Sequence, residues 1–145
     1  TIFHPRVSLN DFLELVKCFD IMLDPLYFGM GNTFYQAAAC GTPVVSMPTN
    51  KFQSRGAFAA YKQMLIHDAP IANSQNEYIS IAKRLEIDTS YRETISKQMF
   101  VNSREYLFDD KTIYKEYIEF FKESLKAAKN NEILPKNWEA DIYNK

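Results

Sequence analysis

The feature that most constrains this sequence is a short apolar run closed by proline, which recurs within the first fifty residues. Asp20–Asp24 is followed by Pro25, and Pro43–Met47 is followed by Pro48. Amphipathic or alanine-rich segments separate and follow these runs, and strands that alternate with helices are typical of βα units in a parallel sheet. The first half of the chain is therefore predicted to be α/β.

Three helices are predicted around these strands. Ser8 and Asp11 fit a capping box that begins the first helix. Asn32–Cys40 contains three consecutive alanines, which favour a helix, and the glycine at position 41 favours its termination. A third helix is predicted over Ser54–Leu65.

Two further strands are predicted at the edges of this region. Thr1–His4 is apolar and is stopped by Pro5, while Pro70–Ala72 suggests a fourth, very short strand. A strand at the very start of the chain, with no turn before it, is typical of one segment of a larger fold. We therefore expect the chain to be part of a larger protein.

From Ser74 onward the pattern is helical only. Ser74 with Glu77, and Ser90 with Glu93, fit two further capping boxes, which predict helices near 75–86 and 90–106. Asp110 is predicted to cap a final helix that extends to about residue 129. One apolar stripe is expected along it, made of Ile113, Tyr117, Phe120 or Phe121, and Ser124.

Residues 130–145 form a polar tail with isolated large side chains. Disorder of the tail and docking through those side chains (Ile133, Leu134, Trp138 and Tyr143) both remain open. The predicted organisation is a partial lobe over residues 1–129, followed by a tail over residues 130–145.

Length and charge exclude several classes of protein. The 145 residues suit a single domain, and 17 Lys and Arg against 18 Asp and Glu give no basic face for nucleic-acid phosphates. No apolar run approaches the roughly 20 residues of a membrane helix, and no leader is evident. Cys18 and Cys40 lack metal-ligand spacing and are too few for a disulfide scaffold. We expect a cytoplasmic protein with free thiols, without a membrane or nucleic-acid partner.

The segment that carries chemistry is Leu23–Gln36, which follows a strand and leads into a helix. It contains two of the chain's four glycines, Gly29 and Gly31, which permit positive φ and close approach of a ligand to the backbone. Free N–H groups and the helix dipole at the start of such a helix favour an anion. With Asn32 as a cap and Thr33 as a hydroxyl donor, the pattern predicts a phosphate seat at the carboxyl end of a parallel strand.

The pattern matches neither of the common phosphate-binding motifs. No Gly-Lys-Ser/Thr follows, and the position of the third glycine in a dinucleotide fingerprint is Phe34. An alternative to the phosphate site therefore remains open: a tight turn in which Gly29 and Gly31 serve only the backbone conformation.

The chain resembles the donor-binding half of the O-GlcNAc transferase family, and the bacterial members most. The resemblance reaches from Thr1 to about Phe121 and is carried by Asp20–Pro25, Phe28–Thr33, Ala37–Pro48 and Ser54-Arg55. It implies a Rossmann-like half of a GT-B glycosyltransferase, with a short parallel sheet flanked by helices and an all-helical C-terminal part. It also implies a UDP-GlcNAc-like donor, inversion at the sugar, no metal or other cofactor, and a protein or peptide acceptor.

Site residues follow from the resemblance position by position. The diphosphate contacts of the family fall on Gly31, Asn32 and Thr33, and the ribose-binding position on Gln36. The strip that binds uracil is expected to use the Val7 backbone and the Phe12 ring. The predicted donor-binding residues are thus Val7, Phe12, Gly29, Gly31, Asn32, Thr33 and Gln36. The catalytic groups and a phosphate-binding lysine are expected from a missing N-terminal lobe.

Several positions depart from the family pattern. Gln36 replaces an acidic residue, Gly31 replaces a histidine of the animal enzyme, and Leu9 and Leu15 replace basic residues. A neutral acceptor bonds less strongly than a carboxylate. Two alternatives therefore stay open: a UDP-glucose-dependent enzyme resembling the adhesin N-glucosyltransferases, and a degenerate lobe that only binds or scaffolds.

The remaining reactive side chains favour structural interpretations. His4 is expected to pack beside Pro5, His67 to be solvated, and Cys40 to pack between helices rather than act as a nucleophile. Asp20 and Asp24, four positions apart on one strand, are more typical of turn caps than of an acid/base pair. For the others the alternatives are a sugar pocket or the core (Tyr27 and Phe28), and a phosphate or a salt bridge (Arg55).

Overall fold

The structure, a computed structural model, describes residues 2–108, 110–136 and 138–140. These residues contain six α-helices and a two-stranded parallel sheet. In chain order the elements are α1 (Leu9–Lys17), β1 (Met22–Leu23), α2 (Asn32–Cys40), β2 (Val44–Val45), α3 (Gly56–Gln63), α4 (Gln75–Ile87), α5 (Thr89–Asn102) and α6 (Ile113–Lys129). They fall into two compact units, one within residues 2–108 and one from residue 110 onward.

The sheet of the first unit is short and parallel, as predicted. Met22 pairs with Val44 and Leu23 with Val45. The predicted strand Pro70–Ala72 is reduced to a single parallel bridge between Ser46 and Ile71.

The predicted strand over Thr1–His4 is wrong for its described residues. Thr1 lies outside them, and Ile2–His4 has no regular structure, with Ile2 and Phe3 more than nine-tenths exposed. A strand forms only where a neighbour accepts its hydrogen bonds, and no described residue pairs with this segment. The prediction that β1 is a buried strand is wrong as well. Among the described residues β1 pairs only with β2, so it lies at the edge of the sheet and Leu23 is exposed.

The core of the first unit lies between the sheet and the surrounding helices. Tyr61 of α3 is fully buried, packs edge-on against Phe34 of α2 at 5.1 Å between ring centroids, and reaches β2. Its hydroxyl accepts a hydrogen bond from the Val44 N–H and lies 2.9 Å from the Val44 carbonyl, to which it can donate. Every helix of this unit contributes buried side chains to the core, and β2 and the segment after α3 add more: Val16, Ala37, Ala38, Val44, Val45, Ala57, Ala60, Met64, Ile66, Leu85, Tyr91, Ile95 and Met99.

Helix α2 has the bounds that its sequence predicts, and its end is fixed by Gly41. This residue has φ +75°, and its N–H bonds to the Ala38 carbonyl. An added Cβ would lie 3.1 Å from Ser96 O and 3.1 Å from Phe100 Cβ, so glycine also lets α5 approach closely.

The predicted serine caps of α1 and α4 are confirmed, whereas the predicted caps of α5 and α6 are wrong. The Ser8 and Ser74 side chains accept from the third N–H of α1 and α4. Helix α5, however, is capped by Asp88, whose side chain accepts from the Tyr91 N–H at 2.9 Å, and not by Ser90. Asp110 binds Thr112 in the turn before α6 and is not its N-cap.

Two predicted helix spans also change. A 3₁₀ turn, Phe52–Ser54, precedes α3, so the helix does not begin at Ser54. Helix α5 ends at Asn102 and continues as a π-helical turn, Ser103–Leu107, instead of reaching residue 106 as regular α-helix.

The second unit is built around α6 and its aromatic side chains. Tyr117 and Phe121 stack with centroids 6.2 Å apart, and Phe120 meets Trp138 edge-on at 5.5 Å. The tail therefore contacts α6 through Trp138, whereas Ile133 is 94% exposed. Tyr143 lies outside the described residues, and the predicted boundary between residues 129 and 130 stays a prediction.

None of the helices in the described part of the chain is long and apolar enough to span a membrane.

Candidate functional site

The loop between β1 and α2 is the segment that the sequence analysis identifies as the candidate site. The buried side chain of Asp24 binds this loop. This carboxylate is 3% exposed; it accepts a 2.7 Å hydrogen bond from the Met30 N–H and a 2.6 Å bond from the Ser46 hydroxyl. Asp24 thus closes the turn that leads into α2, in agreement with its expected role as a turn cap.

Gly31 forms the N-cap of α2 in a conformation that favours glycine. Its φ of +53° and ψ of −125° lie outside the regions open to other residues, and an added Cβ would meet nothing within 4 Å. Asn32 is the first residue of the helix, so the prediction that it caps α2 is wrong. No side chain in the described part of the chain caps this end.

The backbone donors at this helix start are only partly available. Within the described residues the N–H groups of Gly31 and Asn32 donate no hydrogen bond, and both residues are exposed. The Thr33 N–H, by contrast, bonds to the Met30 carbonyl at 3.1 Å. Two of the three amides expected to meet a phosphate therefore have no partner among the described residues, and the third is engaged in the turn.

Gly29 has a packing role in this loop. It is buried, its N–H bonds to the Gln53 carbonyl at 2.9 Å, and an added Cβ would lie 3.2 Å from that carbonyl oxygen. Its expected ligand contact stays untested, but its N–H is already bonded within the protein.

The expected ribose and uracil positions lie on α2 and around α1. Gln36 is half-buried, one turn beyond Asn32, and its side-chain amide makes no hydrogen bond to any described residue. Phe12 packs against the core. Val7 is half-buried and lines an open groove of about 400 Å³ together with His4, Asp11, Glu14, Leu15 and Cys18. The roles of these residues toward a nucleotide stay predictions.

The structure separates the two aspartates that bracket the first apolar run. The Asp20 side chain is 76% exposed and lies 3.6 Å from Arg92 Nε, whereas Asp24 is buried beneath the loop. Such different surroundings do not form an acid/base pair.

The other candidates are placed as follows. His4 and His67 are exposed, and His4 Nδ1 lies 3.1 Å from the Pro5 carbonyl oxygen. Burial raises the pKa of the Cys40 thiol, which disfavours the nucleophilic thiolate. Tyr27 and Phe28 are 85% and 72% exposed, which excludes the core for both. Arg55 donates to the Thr49 carbonyl at 3.0 Å and forms no ion pair with any described residue.

Sequence reasoning missed Ser46 and Gln53, which support the loop from a second segment. Both are more than twenty positions from their partners in the loop, Asp24 and Gly29. No local pattern signals a contact of that kind. The apolar run before Pro48 predicted only a strand, and Ser46 directly follows the observed strand β2.

No group of three or more His, Cys, Asp or Glu side chains in the described residues is arranged to hold a metal ion.

Comparisons with known proteins agree on one family. Residues 2–118 match the family described as Glycosyl transferase family 41. A mutant of the O-GlcNAc transferase of Thermobaculum terrenum is similar in structure, with a TM-score of 0.64 and 23% sequence identity. The similarity covers 74% of this chain and 20% of that chain, so this chain spans about one fifth of that structure's length. No curated protein was found to match.

The structural likeness supports the fold, an α/β, Rossmann-like and GT-B-like fragment in which a short parallel sheet is flanked by helices. The family match extends over most of the chain, from residue 2 to residue 118. The chain therefore belongs to Glycosyl transferase family 41.

Proposed function

We propose that this chain is the donor-binding portion of an inverting glycosyltransferase that transfers a sugar from a UDP-GlcNAc-like donor to protein or peptide hydroxyl groups. The family match over residues 2–118 carries this proposal. The unbonded N–H groups of Gly31 and Asn32, at the start of a helix that follows a parallel strand, support it.

The proposed role of the loop is to stabilise the leaving group. As the glycosidic bond breaks, negative charge accumulates on the UDP diphosphate. The N–H groups of Gly31 and Asn32 and the positive end of the α2 dipole would stabilise that charge. Because these donors are fixed by the fold, they need no reorganisation during the reaction, and the proposal requires no metal ion.

The remaining assignments within the proposal follow from the resemblance to the O-GlcNAc transferase family. Gln36, one turn along α2, would bond the ribose hydroxyls, and the Val7 backbone would meet the uracil edge. The acceptor and the catalytic groups would be bound by a second, N-terminal lobe. Both cysteines are free thiols, which supports a cytoplasmic setting.

The test is a titration of the 145-residue chain with UDP, followed by amide NMR. We expect UDP to shift the Gly31 and Asn32 resonances. Uridine, which lacks the diphosphate, should leave these two amides unshifted. UDP-GlcNAc and UDP-glucose, titrated in parallel, compare the two candidate donors. UDP that shifts no resonance between residues 31 and 33 would contradict the proposal.

A substitution at position 36 separates an intact pocket from a degenerate one. Gln36→Glu replaces a neutral acceptor by a carboxylate, whose hydrogen bonds are roughly twice as strong, so UDP affinity should rise several-fold. Gln75→Glu, which adds the same charge at the exposed start of α4, is the matched control and should leave the affinity unchanged. No gain at position 36 would favour a lobe that no longer binds the donor.

A further inference from the structure

The most unusual polar group in the first unit is the Asp24 carboxylate. It is 3% exposed, and no Lys, Arg or His among the described residues forms an ion pair with it. Burial of a carboxylate without a cation is unfavourable unless hydrogen bonds compensate. Here each oxygen accepts one short bond, from the Met30 N–H at 2.7 Å and from the Ser46 hydroxyl at 2.6 Å.

The backbone around this carboxylate is fixed as well. The Asp24 N–H bonds to the Val45 carbonyl at 2.9 Å, and the Asp24 carbonyl accepts a 2.9 Å bond from the Tyr78 hydroxyl. Gly29 packs directly over the side chain, since an added Cβ would lie 3.4 Å from Asp24 Oδ1. Asp24 is therefore a rigid point against which the loop is held.

The bond to Met30 determines which amides remain available. The Met30 N–H donates to Asp24, and the next residue, Gly31, has φ +53° and forms the N-cap of α2. The next two N–H groups, those of Gly31 and Asn32, are then left without a partner at the start of α2. Without this anchor the turn would keep only its backbone bonds, from the Gly29 N–H to the Gln53 carbonyl and from the Thr33 N–H to the Met30 carbonyl.

We propose that Asp24 is the positioning residue of the donor site, and that its carboxylate holds the Gly31 and Asn32 amides in place by accepting the Met30 N–H. This inference rests on the proposed donor-binding function. The role depends on the acceptor oxygens and not on the charge, because a negative charge close to the site opposes a diphosphate. An isosteric neutral acceptor should therefore replace Asp24, and a small apolar side chain should not.

Two substitutions at position 24 test the inference through UDP affinity. Asp24→Asn keeps an oxygen for the Met30 N–H, and its NH₂ group can donate to the Ser46 hydroxyl, so affinity should stay within about 3-fold of wild type. Asp24→Ala loses both bonds, and affinity should fall by about 10-fold or more, the equivalent of at least one lost hydrogen bond. Asp20→Ala, at the exposed aspartate four positions earlier, is the matched control and should bind UDP as wild type does.

Hydrogen exchange of the Met30 amide provides a readout that does not depend on the ligand. It should be protected in wild type and in Asp24→Asn, and exposed in Asp24→Ala. If Asp24→Ala fails to fold, Ser46→Ala removes only the second bond and should give a smaller loss of affinity, about 3-fold.

The outcomes separate the two proposals. If wild type binds UDP and Asp24→Ala binds it equally well, the inference is overturned while the proposed function stands. An Asp24→Asn variant that keeps Met30 protected but loses affinity would also overturn it, because the charge would then be what matters. Wild type that does not bind UDP would overturn the proposed function itself.

Discussion

At the scale of single residues, Gly31 combines open space with a backbone that only glycine adopts readily. We expect Gly31→Ala to cost about 1–3 kcal/mol of stability, or to move the loop, because alanine is strained at φ +53° and ψ −125°. UDP affinity should fall with it. Urea unfolding and UDP titration measure the two effects.

Gly56→Ala is the matched control for this prediction. An added Cβ there also meets nothing within 4 Å, but Gly56 has no positive φ and begins α3. Alanine should be neutral or slightly stabilising at this position. Equal losses at the two glycines would show that the conformation of Gly31 is not what matters.

Tyr61 is the residue whose ionisation should link stability to pH. Burial raises the pKa of Tyr61 above its ordinary value of 10.0. Above about pH 10 the unfolded chain loses this proton while the folded chain keeps it, so the free energy of unfolding should fall as pH rises. Below pH 10 this contribution is fully present.

Tyr61→Phe tests this linkage. The variant leaves the Val44 N–H buried without its partner, which should cost about 1–3 kcal/mol at pH 8. Its stability should then fall less steeply above pH 10 than that of wild type. Parallel pH profiles for the two proteins, measured by urea unfolding, would contradict the assignment.

At the scale of elements, the start of α5 shows why a local motif selects the wrong cap. Ser90 and Glu93 have the spacing of a capping box, but the Asp88 side chain lies two positions earlier and bonds the Tyr91 N–H. The tyrosine that follows is anchored too, since its hydroxyl donates to the Asp68 carbonyl at 3.0 Å. The start of α5 is therefore held by a local cap, Asp88, and by a contact with a residue distant in sequence, Asp68.

Substitution of the two candidate caps measures this difference. Asp88→Ala should destabilise the protein by about 1 kcal/mol because it leaves a first-turn N–H without its acceptor. Ser90→Ala, inside the first turn, should change stability by less than about 0.5 kcal/mol. Thermal unfolding of the two variants checks the order, and a larger loss at Ser90 would restore the capping-box interpretation.

Helix α2 shows the opposite case, in which local sequence suffices. Three alanines favour the helix and Gly41 ends it, and both signals lie within the element. The predicted and observed bounds are therefore the same. The strands are different, because each forms only when it pairs with another strand, and the local sequence does not identify that strand.

At the scale of the whole molecule, the core of the first unit depends on side chains from several helices at once. Leu85 of α4 is fully buried in it, and Leu85→Ala should cost about 2–5 kcal/mol through lost burial and the cavity that remains. Leu9→Ala, at a leucine of the same unit that is 59% exposed, should cost far less. Urea unfolding of both variants tests whether α4 belongs to this core.

The sequence by itself determined the α/β class, the position of the loop before α2, and the helices whose caps and glycines lie within a few residues. These features depend on local backbone preference, which the residues themselves carry. Tertiary structure alone decided that Ile2–His4 forms no strand and that Ser46 and Gln53 support the loop. Each of these depends on a hydrogen-bond partner distant in sequence, or on the lack of one among the described residues, and only the folded chain brings such partners together.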